Sequence, residues 1–460
     1  MRIFVYCFLL SAAFAFHSPS SASSSSPAAL ATEGAPMDFR HIIRHAKEQV
    51  FPAVIYVKCV RETMEGGRRQ TIEVGGSGVI TNGDGLALTN WHVVENALEV
   101  RCLLSDGRAM NATVLGKDRL TDLAVLQLHP SEEDLPLPYA TLGDSSVLTE
   151  GDFVMAMGAP WGLNRSVSLG IIASTDRYLP GNSEYGLWLQ TDASISPGNS
   201  GGPLVSTEGE IIGINTLGIM WGGTIGFSIP SNTIRVLLPH LVEHGSVNWA
   251  WTGLQLQPLR DFERNMYFDA DTGVMVAETT PESPARAAGV RGGDRIVGIN
   301  GARHTALTYE DLPAIRREIG LLPPGQPIEI DVVRNGEPMS LTIHPQEKGR
   351  LEGDQLALPR WDITVKAINR FDTSDLHFYH PNGVFIYGIR RPGNAQRAGF
   401  ATRDIIIEVD ARPIETLEDL QLAHAQAMER IESRSRIPFL IMRQGRTRHL
   451  VLDFARDFER

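Results

Sequence analysis

Basic residues are in the minority in this 460-residue chain: 42 Lys and Arg stand against 54 Asp and Glu, a formal charge of −12. A nucleic-acid or anionic-membrane partner would want clustered cations, so that class is excluded and no nucleic acid is expected. Long apolar runs are lacking too. Only Ile3–Phe16 qualifies, and it is shorter than the ~20 residues a spanning helix needs, so no stable membrane span is expected. Cysteine is scarce, with three in the whole chain. Cys7 lies in the apolar run, which leaves Cys59 and Cys102 as an even pair. Two readings of that pair stand: a disulfide, or two buried free thiols.

What the chain does have is glycine. Its 44 glycines are about a tenth of the residues, above the ~7% norm and a sign of many tight turns. The length predicts about two to four domains. Met1-Arg2, the apolar run and the small-x-small Ala13-Phe14-Ala15 read as a secretory signal peptide over 1–16. A retained N-terminal anchor is the alternative. Residues 17–36 form a flexible Ser/Ala/Pro-rich lead-in. From Val54 onward, short β-rich runs such as VIYVKCV, GSGVI and LAVLQL alternate with turn signals, and a second set runs from FVMAMG to IGFSIP. Two groups of about six strands predict two small antiparallel barrels, flanked by helical spacing over 37–50 and 231–244.

Beyond Val247 the chain repeats itself. PESPARAAGVRGGDRIVGING (281–301) aligns with RPGNAQRAGFATRDIIIEVDARPI (391–414), each leading from Pro through x-A-x-x-A-G to Asp and an aliphatic strand. An offset of about 110 residues means two domain-sized units, not a solenoid of period ~20–50. Each unit closes with a hairpin, turning at Asn335-Gly336 and at Gln444-Gly445. The boundaries that follow are 37–248 for the double barrel, 249–346 for the first repeat, a charged linker over 347–358, and 359–460 for the second repeat.

The chemistry gathers at Gly198-Asn199-Ser200-Gly201-Gly202-Pro203. The string also fits the nucleophile elbow of α/β-hydrolases, but an elbow leads into a helix and its acid and base follow the Ser. Here a hairpin follows, turning at Glu208-Gly209, and the best His and Asp both come earlier, so the elbow is rejected. A barrel-type serine protease has the order His, Asp, Ser. His92 follows the strand LALTN, and Asp122 opens the strand LAVL. A Ser hydroxyl needs a base within hydrogen-bond reach, which His92 supplies, while Asp122 sets the imidazole tautomer. Glycines around Ser200 let the N–H groups of Gly198 and Ser200 converge on an oxyanion. Asp118 is the rival acid, expected in a solvated KDR turn. His41/His45 and His240/His244 have helical i, i+4 spacing without a third ligand, so neither a metal nor any cofactor is expected.

With TNWHVV, TDLAVL, GAPWGL, QTDASISPGNSGGPL, GFSIPSN and the two repeats in place, the chain resembles the HtrA/Deg family of exported PDZ-containing serine proteases over 37–455. The resemblance implies a mainly β fold, a chymotrypsin-like double β-barrel followed by two α+β PDZ domains. It puts His92, Asp122 and Ser200 in the triad, Gly198, Asn199 and Ser200 in the oxyanion loop, and Thr216, Leu217 and Gly218 beside Ile195 in the specificity pocket. Ser194 stands where enzymes cutting after Arg or Lys carry Asp, so a small or medium aliphatic guest is expected. Asn199 stands where digestive relatives carry the Asp that receives a new N-terminus, so activation by loop rearrangement is expected. Gly253, Leu254, Gln255 and Leu256 resemble the carboxylate-binding loop of a PDZ domain. In the second repeat Asp362 replaces the Gly, which repels a carboxylate and points to a packing role. The resemblance further implies unfolded protein or peptide substrates, no need for ATP, a periplasmic location, and a homo-oligomer built on trimers. The loop between Val60 and Gly75 is short for the family, which argues against large cages. In such a barrel the first strand (54–60) and the fourth (98–104) are neighbours, so Cys59 and Cys102 are expected within ~7 Å of one another.

Overall fold

The structure, a computed structural model, describes residues 39–160, 165–219, 225–261 and 270–458. The signal segment and lead-in lie outside the described residues. Helix α1 (Phe39–Val50) leads into β1 (Val54–Glu65), β2 (Arg68–Ile80), β3 (Leu86–Asn90), β4 (Ala97–Leu103), β5 (Ala109–Asp118) and β6 (Leu123–Leu128). These close into a barrel of order β1-β2-β3-β6-β5-β4. A second barrel of β7 (Phe153–Gly158), β8 (Ser166–Arg177), β9 (Trp188–Thr191), β10 (Pro203–Val205), β11 (Ile211–Ile219) and β12 (Ile225–Pro230) has the same order, β7-β8-β9-β12-β11-β10. Closure removes the exposed edges that six short strands would otherwise present. Side chains alternate as a barrel wall requires: Ile55, Val57 and Cys59 are buried, while Tyr56 and Lys58 are not. Helix α2 (Ser231–His244) ends at Gly245, whose φ of +74° is the left-handed cap. Its Leu241 carbonyl lies so close to β5 that a Cβ at Gly116 would overlap it.

The closing pair β1/β4 forms as expected, but the disulfide does not: both Cys59 and Cys102 are free and buried. The register sets Cys102 opposite Val57 and Cys59 opposite Val100. The two cysteines are therefore diagonal neighbours, and diagonal Cα atoms sit ~7–8 Å apart, beyond the ~4.4–6.8 Å a disulfide spans. Burial pushes the Cys102 thiol up to about 12 and raises that of Cys59. A thiol reagent is therefore expected to leave both untouched in the native protein and to react with both in denaturant without reductant. Absence of the two thiols after unfolding would restore the cross-link.

The C-terminal half forms two similar sheets. Strand β13 (Ala250–Trp251) precedes β14 (Leu254–Gln257), β15 (Val274–Thr279), helix α3 (Pro284–Ala287), β16 (Arg295–Ile299), β17 (Ala302–Arg303), α4 (Leu312–Gly320), β18 (Ile328–Arg334), β19 (Glu337–Ile343) and β20 (Gln346–Glu347). The main sheet runs β14-β15-β16-β18-β19, and β13 pairs with β20. The second unit contains β21 (Gln355–Leu358), β22 (Ile363–Ala367), α5 (Ser374–Tyr379), β23 (Val384–Ile389), α6 (Asn394–Ala398), β24 (Ile405–Val409), β25 (Arg412–Pro413), α7 (Leu417–Glu429), β26 (Arg436–Arg443) and β27 (Arg446–Asp453). Its order, β22-β23-β24-β26-β27, repeats the first with one addition: β21 lies outside β22. Both expected hairpin turns have two positive φ angles, 52° and 85° at Asn335-Gly336 and 51° and 74° at Gln444-Gly445. Such pairs match the twist of the flanking strands.

Two stretches differ from the sequence expectation. The expected loop from Val60 to Gly75 is the outer half of the β1/β2 hairpin, paired down to Glu65 and Arg68 around Gly66-Gly67. The hairpin tip packs backbone to backbone on the second unit, leaving no room for a Cβ at Gly67 or Gly388. The expected linker is also built in. Lys348 is 8% exposed, bonded to Glu184 (2.5 Å) and to the Tyr185 hydroxyl (3.1 Å) of the second barrel, and residues 355–358 are β21.

Candidate active site

Asp122 sits in the bend between β5 and β6 with a φ of +57°, a backbone conformation Asp tolerates better than most residues. The bend turns its carbonyl to Trp91 N (3.0 Å) and Asn90 Nδ2 (3.1 Å). Its carboxylate meets His92 three times: backbone N to Oδ1 at 3.1 Å, and ring Nδ1 to Oδ1 at 3.0 Å and Oδ2 at 2.8 Å. A carboxylate held this way keeps the imidazole proton on Nδ1 and leaves Nε2 to accept. Asp118 is not the acid and is not solvated. It is 5% exposed, accepts from Thr121 N (2.9 Å), Thr121 Oγ1 (2.7 Å) and Trp249 Nε1 (2.9 Å), and burial raises its pKa.

Ser200 enters from the second barrel. Its Oγ donates to Thr216 O at 3.1 Å, and among the described residues it makes no hydrogen bond to His92. The loop before it is a turn in which Asn199 N donates to Ser196 O (2.9 Å) and Gly198 has a φ of +98°. Pro197-Gly198 is the residue pair that a turn with positive φ at its third position favours. Among the described residues, neither Gly198 N–H nor Ser200 N–H has an acceptor, so both are free to donate to an incoming oxygen. Asn199 is 5% exposed and accepts from Ser166 Oγ (3.2 Å).

Beside this loop Gly218 of β11 pairs with Gly226 of β12, and a Cβ at Gly226 would meet Ile195 Cδ1 at 2.6 Å. Ile195, 5% exposed, therefore fills the space beside the two glycines and packs in one core with Ala193 and Leu204. Thr216 is buried next to it, and Leu217 lies opposite Phe227 in the same ladder. Sequence reasoning missed Asn90 and Ser77. Asn90 Nδ2 also donates to Thr216 Oγ1 (2.9 Å), tying the two barrels together at the cleft; TNWHVV and GSGVI contain the two residues, but neither string says what their side chains meet.

The known proteins this chain resembles agree with that geometry. Residues 76–214 match the trypsin-like peptidase domain family and residues 252–344 the PDZ domain family. A probable periplasmic serine endoprotease DegP-like of Halomonas elongata is 33% identical over 391 residues, 83% of this chain and 79% of the relative. The periplasmic serine endoprotease DegP of Escherichia coli K12 is 31% identical, covering 77% and 73%. Among solved structures, the HtrA-type protease AlgW with tripeptide superposes with a TM-score of 0.59 at 33% identity, covering 67% of this chain and 97% of that one.

The chain belongs to the HtrA/Deg family of PDZ-containing serine proteases.

As an HtrA/Deg protein it is a serine endopeptidase, and its PDZ sheet lies near the cleft. Gly253 (φ +74°) precedes β14, the end strand of the sheet among the described residues, with Leu254, Gln255 and Leu256 along it. That loop forms one wall of a cavity of about 930 Å³, His92 and Asp122 part of the other, and Arg370 and Phe371 of the second unit close it. The second unit lies outside both matched spans. There Asp362 turns inward, accepting from Asn394 N (2.8 Å) with Arg390 at 3.5 Å. The edge of β22 is occupied by β21 in antiparallel register, from Gln355 opposite Lys366 to Leu358 opposite Ile363. His424 of α7 bonds Pro359 O at 2.7 Å, and Leu358 packs in the same core as Leu420 and Ala427.

Proposed function

We propose that this protease is an ATP-independent endopeptidase of an exported compartment that degrades misfolded or unassembled proteins, cutting after small or medium aliphatic side chains. The His92–Asp122 pairing at 2.8 Å, facing the loop that carries Ser200, is the observation that supports it most. In this reading Ser200 Oγ leaves Thr216 O, gives its proton to His92 Nε2 and attacks the peptide carbonyl. The Gly198 and Ser200 N–H groups stabilise the oxyanion, Asp122 stabilises the imidazolium, and His92 returns the proton to the leaving amine. Water then hydrolyses the acyl-enzyme by the same route in reverse. Ile195 beside Gly218 and Gly226, with Ser194 in place of a carboxylate, supports the aliphatic preference. The β14 edge, unpaired by any strand among the described residues, supports capture of extended peptide by strand addition. The names of the relatives support the periplasm as the compartment, and the family supports trimers.

Casein incubated without ATP is expected to be cut, with Ala, Val, Leu or Ile at the new C-termini by mass spectrometry. Cuts after Arg or Lys would overturn the pocket reading. Failure to cut any unfolded protein or peptide would favour a peptide-binding chaperone.

A further inference from the structure

The first barrel reaches into the oxyanion loop through one hydroxyl. Ser77, on β2, is fully buried. Its Oγ donates to Gly198 O at 2.6 Å and accepts from Ala159 N at 2.8 Å, and both partners lie in or beside the second barrel. Its main-chain N–H grips the same region, donating to Ser200 O (2.8 Å), while Ser77 O accepts from Thr89 Oγ1 (2.7 Å) of β3 in its own barrel. Gly198 O belongs to the peptide joining residues 198 and 199, whose other end, Asn199 N, bonds Ser196 O at 2.9 Å. That peptide lies between the two donors of the oxyanion hole, so fixing it at both ends fixes their spacing.

We propose that Ser77 is a positioning residue of the oxyanion hole: its hydroxyl holds the 198–199 peptide so that Gly198 N–H and Ser200 N–H converge on one oxygen. The inference rests on the reading of Ser200 as the nucleophile. It assigns Ser77 no contact with substrate. A methyl in place of the hydroxyl would leave Gly198 O and Ala159 N buried without this partner, and the turn free to shift within the cleft. Donors in such holes act by preorganisation, so a shift of a fraction of an ångström lowers the rate and not the binding of the ground state.

The test is Ser77→Ala in the full chain, on a fluorogenic peptide with Val at the cleaved position. Its kcat is expected to fall about 10–100-fold with KM within about twofold. The affinity of a peptide boronic acid, whose tetrahedral adduct puts an oxygen in the hole, is expected to fall by the same factor as kcat. Binding of the uncleaved peptide, read in a Ser200→Ala background with and without Ser77→Ala, is expected to change less than about twofold. Ser77→Cys, a weaker donor of similar size, is expected to fall between the two. A folded Ser77→Ala with wild-type kcat overturns the proposal, as does an equal loss of peptide and boronate affinity. Where Ser77→Ala gives no cooperative melt, Ser77→Cys decides on the same split, and wild-type kcat with wild-type boronate affinity overturns it. A wild type inactive on every peptide would instead sink the reading of Ser200.

Discussion

Asp122→Asn is expected to lower kcat on peptide substrates about 10⁴-fold while the protein melts near the wild-type temperature. The geometry dictates which way the new amide faces. The backbone N of His92 donates to Asp122 Oδ1 at 3.1 Å, so that position must remain an oxygen. The amide nitrogen then takes the Oδ2 position, 2.8 Å from His92 Nδ1, and donates to it. The ring proton moves to Nε2, the one atom that has to accept the Ser200 proton. The imidazole becomes a donor toward its own nucleophile, and the imidazolium that forms in the transition state loses its counter-charge. Steady-state kinetics with thermal unfolding on the same sample reads the effect. A loss under about tenfold with an intact melt would mean that Asp122 does not orient His92.

Gly201→Ala is expected to remove activity and to destabilise the barrels together. Gly201 has a φ of +86°, so an added Cβ is strained before it meets anything. It would then overlap Ser77 O and Thr89 Oγ1, with Asn90 N at 3.2 Å behind them. None of these can step aside: Ser77 and Thr89 are 0% exposed, and the two atoms bond one another at 2.7 Å. Gly201 N is itself tied to Asn215 O at 2.8 Å. Strain and overlap in one buried place cost about 3 kcal/mol or more, which lowers the melting temperature of a domain this size by roughly 10 °C. A folded variant melting within about 2 °C of wild type and cleaving casein normally would show that the loop can move away from β2.

The barrels are legible because turn residues and alternating apolar runs are local signals, and the order His92, Asp122, Ser200 excluded the hydrolase elbow without any coordinates. What escapes the sequence is contact between distant strands. Asp118 reads as a solvated turn until Trp249, 131 residues later, covers it. Ser77 is one serine among many until it faces Gly198, 121 residues on. The cysteine pair fails for a subtler reason. Which strands are neighbours follows from the barrel pattern, but their register follows from side-chain packing along the whole seam, and an offset of two residues leaves the same face inside. The strand hidden in the linker, QLAL, is too short and too close to charge to show a period.

That strand changes the binding arithmetic of the second unit. β21 is joined to β22 by residues 359–362 alone, so its effective concentration at the β22 edge is of order millimolar. A free chain end of equal intrinsic affinity half-fills the edge only when its own concentration matches that of the tether. At micromolar levels it falls short by about a thousandfold, and the edge stays closed. Among the described residues no strand pairs with the outer edge of β14 in the first unit, so a terminus that docks there would face no tethered competitor. Two edges of like architecture in one chain would thus answer an incoming strand at concentrations about three orders of magnitude apart.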